Sequence, residues 1–517
     1  MSARNIIGAA ALALAIAYAG AAWAQAPIAP IVQTSLGGLS GTATDGVRAF
    51  RGVPYALPPV GDLRWKPPQP AEPWSGIRDA TGFGADCMQK PAADSRAPGV
   101  SEDCLTLNIW TPATAERLPV MVWVYGGGFV EGSASLPLYD GAALARRGVV
   151  VVSLNYRTGV FGFLAHRGLA AESPEHSAGN YGILDVIEAL RWVKQNAAAF
   201  GGDPGRVTVF GESAGASMLD LVLVSPLSQG LVHQAILESP GAMRPLSVLA
   251  QAEAIADVAG PDIAVLRAMP AAQVLALNDK IVPAVRRLTT PRALGPILDG
   301  WVVPRTDTEA FAKGEMRRVP LIVGGNSDEG RAFVKDWPIR TPVEARAYAV
   351  QNFGGSADAM LSLYGLGTDA AITPGLAYAF GDTQFNYGVR GLARGMAAVQ
   401  PKVWRYLFTH APAGEQTAPT HSEEIDYVFG NLGAARWVPR GPMNAADRQL
   451  SDAMMDAWTR FARTGDPNGG SLPAWPAYEA KADPYMEFGD TIKAGHGYRT
   501  PYLDFVQQFL AQQHASN

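Results

Sequence analysis

The chain has 517 residues, of which 48% are hydrophobic and 17% charged, and its formal net charge is −5. This composition can fill a large core, which excludes a disordered chain, a collagen-like repeat and a coiled coil. The slight negative charge, without any run of Lys and Arg, argues against a nucleic-acid partner. Pro and Gly are scattered rather than pooled in a linker, so residues 25–517 are expected to form one domain.

The first residues have the pattern of a secretory signal. Arg4 precedes an uncharged run at 6–23, and small residues stand at the Ala22-Trp23-Ala24 cleavage position. We predict a signal peptide at 1–24, with Ala26 as the second choice of cleavage site, and a periplasmic or secreted mature protein. The alternative is an uncleaved anchor, although Ala and Gly contribute little to membrane insertion. No later run is apolar for long enough to cross a bilayer, so no membrane contact is expected after cleavage.

Two cysteines, Cys87 and Cys104, are all that the sequence contains. In an exported protein, an even number of cysteines separated by a short loop favours a disulfide, which here would close residues 88–103. A metal site is the alternative, but it needs more ligands, and no His or third Cys lies nearby. We therefore predict a disulfide and no metal.

Strand and helix patterns alternate along the chain. Residues 48–70 are rich in Pro and turn signals, which indicates surface loop and short strands. Apolar runs predict buried parallel strands at 119–125, 149–154, 207–210, 320–323 and 403–408. A helix is predicted at 183–199, where Gly201 and Gly202 end it. Residues 242–290 have a mostly helical composition and are expected to pack over the sheet as a lid-like insertion.

A candidate nucleophile lies in residues 211–215, Gly-Glu-Ser-Ala-Gly, which match G-x-S-x-G between a predicted strand and a helical stretch. The two glycines let strand and helix approach closely, so that Ser213 is held on a sharp turn. A glycine-rich turn without function is the alternative for such a motif alone. Residues 125–129, Tyr-Gly-Gly-Gly-Phe, end an earlier strand. At this position we expect a loop whose backbone amides bind the oxyanion of the reaction, and the alternative is a flexible loop without function. The candidate donors are the amides of Gly127, Gly128 and Ala214.

The general base is expected to be a histidine that follows the acid in the chain order nucleophile, acid, base. His410 ends a predicted strand and His421 lies in the following loop, and the loop position favours His421. Asp328 and Glu329 both follow the strand at 320–323, so either can be the acid. Glu212, beside the serine, is expected either to add negative potential to the site or to cap the following helix.

The chain resembles the type-B carboxylesterase and cholinesterase family of α/β-hydrolases over residues 46–478. The matching segments are Phe-Arg-Gly-Val-Pro-Tyr-Ala at 50–56 with Pro-Pro at 58–59, Ser-Glu-Asp-Cys-Leu at 101–105, Asn-Tyr-Arg at 155–157 with Phe-Gly-Phe at 161–163, Gly-Asn-Tyr-Gly at 179–182, Phe-Gly-Gly-Asp-Pro at 200–204 and Thr-Gly-Asp-Pro-Asn at 464–468.

This resemblance implies an α/β-hydrolase fold, with a large, mostly parallel sheet flanked by helices and a helical lid-like insertion. It selects Glu329 as the acid and His421 as the base, identifies Cys87 with Cys104 as the family's first disulfide, and suggests an ion pair between Arg51 and Glu102. The implied activity is that of a serine carboxylic-ester hydrolase that acts through an acyl-enzyme. Neither a cofactor nor a metal is required by that chemistry.

Departures from the family pattern bear on the substrate. Cholinesterases present a tryptophan from the first disulfide loop to a quaternary ammonium, whereas residues 88–103 contain no aromatic residue, which disfavours a choline ester. Thr290 and Arg292 stand where cholinesterases place acyl-pocket aromatics, and Arg286 and Arg287 precede them. An arginine facing the acyl group suits an acid with further carboxylates, as in a fumonisin esterase that releases tricarballylate. The alternative is that Arg292 points to solvent or pairs with a structural acid.

Two functions of other kinds are alternatives. Relatives such as the neuroligins lose the serine and act as adhesion modules, but here the serine, the histidine, the acid and the glycine loop are all present. A lipase acting on long acyl chains would need an interfacial lid and an apolar trench. We expect a small-molecule ester as substrate, and the sequence leaves its alcohol half and the oligomeric state open.

Overall fold

The computed structural model describes residues 29–415, 417–434 and 443–516, and the side chains up to residue 513. The predicted signal peptide at 1–24 lies outside the described residues, as does Ala26. Within these ranges no helix combines the length and the apolar character that crossing a membrane would need.

A central sheet of eleven strands is formed by the described residues. Its strands are β1 Thr42–Thr44, β2 Val47–Pro54, β3 Thr106–Pro112, β4 Leu118–Val124, β5 Val150–Leu154, β6 Gly202–Glu212, β7 Gln234–Glu238, β8 Leu321–Asn326, β9 Val403–Phe408, β10 Pro484–Phe488 and β11 Lys493–His496. Their order across the sheet is β11-β10-β9-β8-β7-β6-β4-β5-β3-β2-β1. All neighbours from β10 across to β5 pair in parallel, and the pairs at both edges are antiparallel. The large, mostly parallel sheet is therefore confirmed.

Helices connect the strands and cover the sheet. They are α1 Ala142–Ala145, α2 Gly159–Phe163, α3 Arg167–Glu172, α4 Tyr181–Asn196, α5 Ala214–Val224, α6 Leu249–Ala256, α7 Ile263–Ala268, α8 Ala271–Leu275, α9 Leu277–Ile281, α10 Asp307–Lys313, α11 Arg331–Val334, α12 Pro342–Phe353, α13 Ala357–Leu363, α14 Asp369–Gly381, α15 Tyr387–Ala397, α16 Ile425–Phe429, α17 Ala445–Thr464 and α18 Thr500–Ser516. One π-helical turn, Asp382–Asn386, joins α14 to α15.

The core explains why the parallel strands are apolar along their whole length. Val120, Val122 and Trp123 of β4 have no exposed surface, as expected for a strand covered by helices on both faces. The helices α4, α5 and α17 pack against β6. A second cluster of buried residues, which includes Trp337 and Phe380, lies among α12, α13, α14 and α18.

All five strands predicted from apolar runs are present, as β4, β5, β6, β8 and β9. The predicted helix at 183–199 corresponds to α4 and a 3₁₀ turn, and Gly201 ends it with a φ of +79°. Strand β7 escapes prediction because only three of its residues are apolar. Within residues 48–70, β2 is a longer strand than expected and belongs to the main sheet. Residues 242–290 contain α6 to α9, but no helix forms at 282–290.

The disulfide between Cys87 and Cys104 is formed, with the two Cα atoms 5.0 Å apart. The expected ion pair between Arg51 and Glu102 is wrong. Arg64 instead donates from Nε to Glu102 at 2.7 Å, and its Nη1 donates to the Met269 carbonyl at 2.7 Å. Arg51 lies elsewhere and donates to the Thr42 hydroxyl of β1 and to the Thr81 carbonyl. A buried arginine with acceptors on two sides satisfies more of its donors than a single pair would, so Arg64 is the residue that ties the disulfide loop to the body of the fold.

Replacing both Cys87 and Cys104 with serine is expected to lower the free energy of unfolding by about 3 kcal/mol, the entropic value for a loop of this length. Urea unfolding of the mature wild-type protein, with the disulfide intact, and of the double serine variant measures the difference in the free energy of unfolding. Reduction of the wild-type protein should reproduce the loss, and an unfolding midpoint that is the same in all samples would contradict the prediction.

Candidate active site

Ser213 lies on the sharp turn between β6 and α5. Its φ of +54° and ψ of −120° fall in a region that residues with side chains rarely adopt, and such strain concentrates at functional sites. The Ser213 amide donates to the Glu238 carbonyl of β7 at 2.9 Å, which fixes the turn. Gly215 has no room for a side chain, because a Cβ there would overlap the carbonyls of Val124 and Tyr125. The motif thus has the strand-turn-helix context that its interpretation requires.

The glycine loop follows β4, which is the neighbour of β6 in the sheet. A Cβ on Gly126 would lie 2.9 Å from the Cβ of Ser213, so the loop packs directly against the serine turn. Gly127 and Gly128 have φ values of +112° and +63°, which favour glycine. Neither amide donates a hydrogen bond within the described part of the chain, and Ala214 begins α5, where helix amides lack intrahelical acceptors. These three amides are available to an oxyanion.

His421 and Glu329 are in direct contact after β9 and β8, at the same edge of the sheet. The His421 Nδ1 lies 2.6 Å from Glu329 Oε2. The other carboxylate oxygen, Oε1, accepts from Ser239 Oγ and from the Asn326 amide, both at 2.6 Å. Glu329 is buried. One of its carboxylate oxygens faces His421, and the other accepts the two hydrogen bonds from Ser239 and Asn326. This arrangement holds the imidazole with a proton on Nδ1, which leaves Nε2 to act on a neighbouring hydroxyl.

Glu212 brings a second carboxylate to the same imidazole. Its Oε1 lies 3.0 Å from His421 Nε2 and accepts from the hydroxyl of Ser422. Burial lowers the pKa of His421, but the negative charges of Glu212 and Glu329 outweigh burial and raise the pKa above its usual value. Glu212, which precedes Ser213, therefore connects the serine turn with the histidine loop.

The residues that the sequence offered as alternatives lie elsewhere. Asp328 pairs with Arg331 at 2.9 Å and does not contact the imidazole. His410 lies between the carboxylates of Asp447 and Asp490, at 2.9 and 2.8 Å, and so joins the end of β9 to α17.

Two phenylalanines that the sequence analysis does not identify flank the imidazole. Phe385 stacks on His421 with ring centroids 4.3 Å apart, and Phe333 lies at 5.1 Å. Phe385 belongs to the π-helical turn between α14 and α15, and π turns are frequent at functional sites. A single π turn produces no hydrophobic periodicity in the sequence. The stacking of Phe385 on His421 can therefore be found only in the structure.

Two further buried glutamates lie beneath the site. Glu424 accepts from Asn326 Nδ2 at 2.6 Å, and Glu238 accepts from Trp458 Nε1 at 2.8 Å. Burial, together with the neighbouring carboxylates, raises the pKa of Glu424 to about 8 and that of Glu238 as well. The pair therefore carries less than its full negative charge at neutral pH, which limits its repulsion with the neighbouring Glu329.

A cavity of about 230 Å³ opens beside the oxyanion loop and is lined by arginines. Arg292, the residue expected at the acyl pocket, faces this cavity together with Thr290, Gly128 and three further arginines, Arg244, Arg286 and the exposed Arg287. The guanidinium of Arg292 lies 5.3 Å from the centre of the Phe129 ring. Arg292 thus points neither to open solvent nor to a structural acid.

The positive charge of this cavity is poorly compensated. Among the described residues, no carboxylate forms a salt bridge with Arg244, Arg286 or Arg292. Burial, and then the charges of Arg244 and Arg286, lower the pKa of Arg292 well below its usual value. The lowered pKa shows that the arginines repel one another electrostatically. An anion bound between them reduces this repulsion, so its binding is favourable. Arg244 lies far from the others in sequence, between Met243 and Pro245, and no sequence motif marks it.

Comparisons with known proteins agree with this geometry. The sequence pattern of the carboxylesterase family matches residues 28–506. The chain is 47% identical to the fumonisin B1 esterase of Sphingopyxis macrogoltabida, over 90% of this chain and 87% of that protein. It is 35% identical to the para-nitrobenzyl esterase of Bacillus subtilis (strain 168), over 87% and 92% of the two chains. A solved structure of a PNB esterase matches with a TM-score of 0.82 and 33% identity, covering 93% of this chain and 99% of the other.

Proposed function

Because the chain belongs to the carboxylesterase family and is a serine carboxylic-ester hydrolase, we propose that its substrates are esters whose acid half carries further carboxylates. The observation that carries this proposal is the arginine-lined cavity beside Gly128. A fumonisin-type esterase that releases tricarballylate is the specific form of the proposal, and it is supported by the identity to the fumonisin B1 esterase.

The proposed mechanism uses the groups at the carboxyl ends of β4, β6, β8 and β9. His421 takes the proton of Ser213 at Nε2, and the serine oxygen attacks the ester carbonyl. Amides of Gly127, Gly128 and Ala214 stabilise the oxyanion. Glu329 stabilises the imidazolium, which then protonates the leaving alcohol. Water, activated by the same imidazole, hydrolyses the acyl-enzyme, and the acid is released.

In this mechanism Glu212 sets the pH at which the base becomes neutral. Replacing Glu212 with glutamine removes one of the two carboxylates that favour the imidazolium, so the pKa of His421 should fall. Since kcat/KM requires neutral His421, its acidic limb is expected to move to lower pH by about one unit or more. The measurement is a pH profile of kcat/KM with a neutral ester.

The exposed Glu72 provides the matched control. Glu72→Gln should leave the acidic limb where it is in the wild-type enzyme. An unmoved limb in Glu212→Gln would contradict the assignment of the raised pKa to Glu212.

Two esters of nearly equal shape and different charge test the substrate class. One is a monoester of tricarballylate with two free carboxylates, and the other is the same compound with those carboxylates replaced by carboxamides. Hydrogen bonds to charged groups contribute about 1.5–3 kcal/mol each, so the wild-type enzyme should prefer the charged ester by about 10-fold or more in kcat/KM. Arg292→Ala should abolish the preference while the diamide ester is hydrolysed at a nearly unchanged rate.

Arg318 is the matched control for Arg292, because it is exposed, donates to the Gly314 carbonyl and does not line the cavity. Arg318→Ala should keep the preference for the charged ester. Equal rates for both esters in the wild-type enzyme would leave a generalist carboxylesterase and overturn the proposal.

Export is a second part of the proposal. It is supported by the signal pattern at 1–24 and by the disulfide, which persists in oxidising compartments. Mass spectrometry of the mature N-terminus should find Gln25 or Pro27 as the first residue. A protein that retains Met1 in the cytoplasm would contradict it.

A further inference from the structure

The arginine cavity contains many unused hydrogen-bond donors. Arg244 is almost fully buried, yet its Nε has no partner among the described residues, and its Nη2 makes one long bond of 3.5 Å to the Thr290 carbonyl. Arg286 and Arg292 lie over the rings of Phe333 and Phe129, at 5.5 and 5.3 Å from the ring centres. Aromatic faces hold the guanidinium groups in place but leave the N–H groups in their planes free.

Three acids among the described residues lie near this cluster, and none of them forms a salt bridge with it. The exposed Glu131 interacts electrostatically with Arg286 and raises the pKa of Arg286, but burial outweighs this effect. Asp220 and Asp307 are buried and line a smaller neighbouring cavity of about 30 Å³, together with Arg244 and Arg292. Burial raises the pKa of both carboxyl groups, and the neighbouring Asp307 raises that of Asp220 further, so the pair carries less than two negative charges. Asp307 already accepts from the Met243 and Thr308 amides. The charge of Asp307 therefore compensates Arg244 only in part.

The third arginine lies next to the reaction centre. Arg286 Nη2 is 3.3 Å from the position that a Cβ on Gly128 would take, and Gly128 belongs to the oxyanion loop. Arg244 lies at the other end, beside the acid pair. The cluster thus extends from the oxyanion loop, at Gly128, to the buried acids Asp220 and Asp307.

We propose that this cluster is a binding site for free tricarboxylates, with Arg244 as its inner anchor, so that the enzyme is inhibited by the acid it releases. The proposal rests on the proposed function, because it assigns the acid half of the substrate to the same cavity. Hydrolysis adds a negative charge to the acid half, beside Arg286, and removes none of its contacts with Arg244 and Arg292. The released acid therefore keeps the attraction that positioned the ester.

The test measures inhibition with a neutral reporter ester, p-nitrophenyl acetate, whose hydrolysis does not depend on the arginines. The inhibitors are butyrate, glutarate and tricarballylate, which carry one, two and three carboxylates. The inhibition constant of the wild-type enzyme should fall by about 10-fold or more with each added carboxylate, as expected for charge-assisted hydrogen bonds. The inhibition should be competitive and should weaken at high salt.

The variant Arg244→Gln should raise the inhibition constant of tricarballylate by about 10-fold or more and leave that of butyrate unchanged. Arg318→Gln, at an exposed position that does not line the cavity, should change neither. The series of three acids on the wild-type enzyme needs no variant, so the test stands even if Arg244→Gln fails to fold. Equal inhibition constants for the three acids would overturn the proposal, as would a folded Arg244→Gln enzyme with unchanged inhibition.

This outcome is separable from that of the proposed function. A preference for the charged ester without inhibition by the free acid would leave the proposed function in place and overturn product binding. Absence of that preference, with tight tricarballylate inhibition, would overturn the proposed substrate class while supporting the anion site.

Discussion

Replacing Ser213 with alanine is expected to reduce kcat by about 10⁶-fold, the size of loss seen when the nucleophile of a triad is removed. The reason is that no acyl-enzyme can form without the hydroxyl. The oxyanion donors and the binding cavity remain, so a residual rate above that of water alone is expected. Hydrolysis of a neutral p-nitrophenyl ester, which gives a sensitive optical signal, measures both rates.

Covalent labelling provides the control for this loss. An organophosphate should modify wild-type Ser213, as shown by mass spectrometry of the peptide that contains it, and should leave the Ser213→Ala protein unlabelled. Thermal unfolding should show that the variant is folded, since the Ser213 hydroxyl makes no hydrogen bond within the described part of the chain and alanine keeps the Cβ. Wild-type activity in a folded Ser213→Ala protein would contradict the whole assignment.

The sequence predicts the sheet and its functional edge well because their signals are local. Apolar runs mark β4, β6, β8 and β9, and the carboxyl ends of parallel strands meet at one edge of a sheet. The glycine loop, Ser213, Glu329 and His421 each follow one of these strands. Chain order and strand ends therefore indicate which loops lie together, whereas the choice of Glu329 over Asp328 comes from the family resemblance.

The remaining features depend on contacts between distant segments. Arg244 is separated from Arg292 by α6 to α9, and only packing places the two guanidinium groups in one cavity. Phe385 reaches His421 through a π turn that leaves no periodic signal. The wrong pairing of Glu102 with Arg51 has the same origin, because sequence separation does not decide between Arg51 and Arg64. The pairing depends on which side chain is buried beside α7.

Replacing Glu329 with glutamine is expected to lower kcat by about 10⁴-fold, the loss seen when a triad acid becomes an amide. The geometry gives the direction of the amide. The Oε1 position accepts from Ser239 and from the Asn326 amide, so the glutamine carbonyl must occupy it and the NH₂ group must face His421 Nδ1. Nδ1 then becomes an acceptor, and the proton moves to Nε2, where it prevents the imidazole from accepting the proton of Ser213.

The neighbouring Asp328 supplies the matched control, since the sequence alone leaves both residues open as the acid. Asp328→Asn removes a half-buried carboxylate that pairs with Arg331, and it should retain activity within about 10-fold, because a partly exposed pair contributes only about 1 kcal/mol or less. Steady-state kinetics of both variants on one neutral ester shows which residue is the acid. NMR chemical shifts of the His421 ring report which nitrogen carries the proton. A large loss in Asp328→Asn together with an active Glu329→Gln would reverse the assignment of the acid.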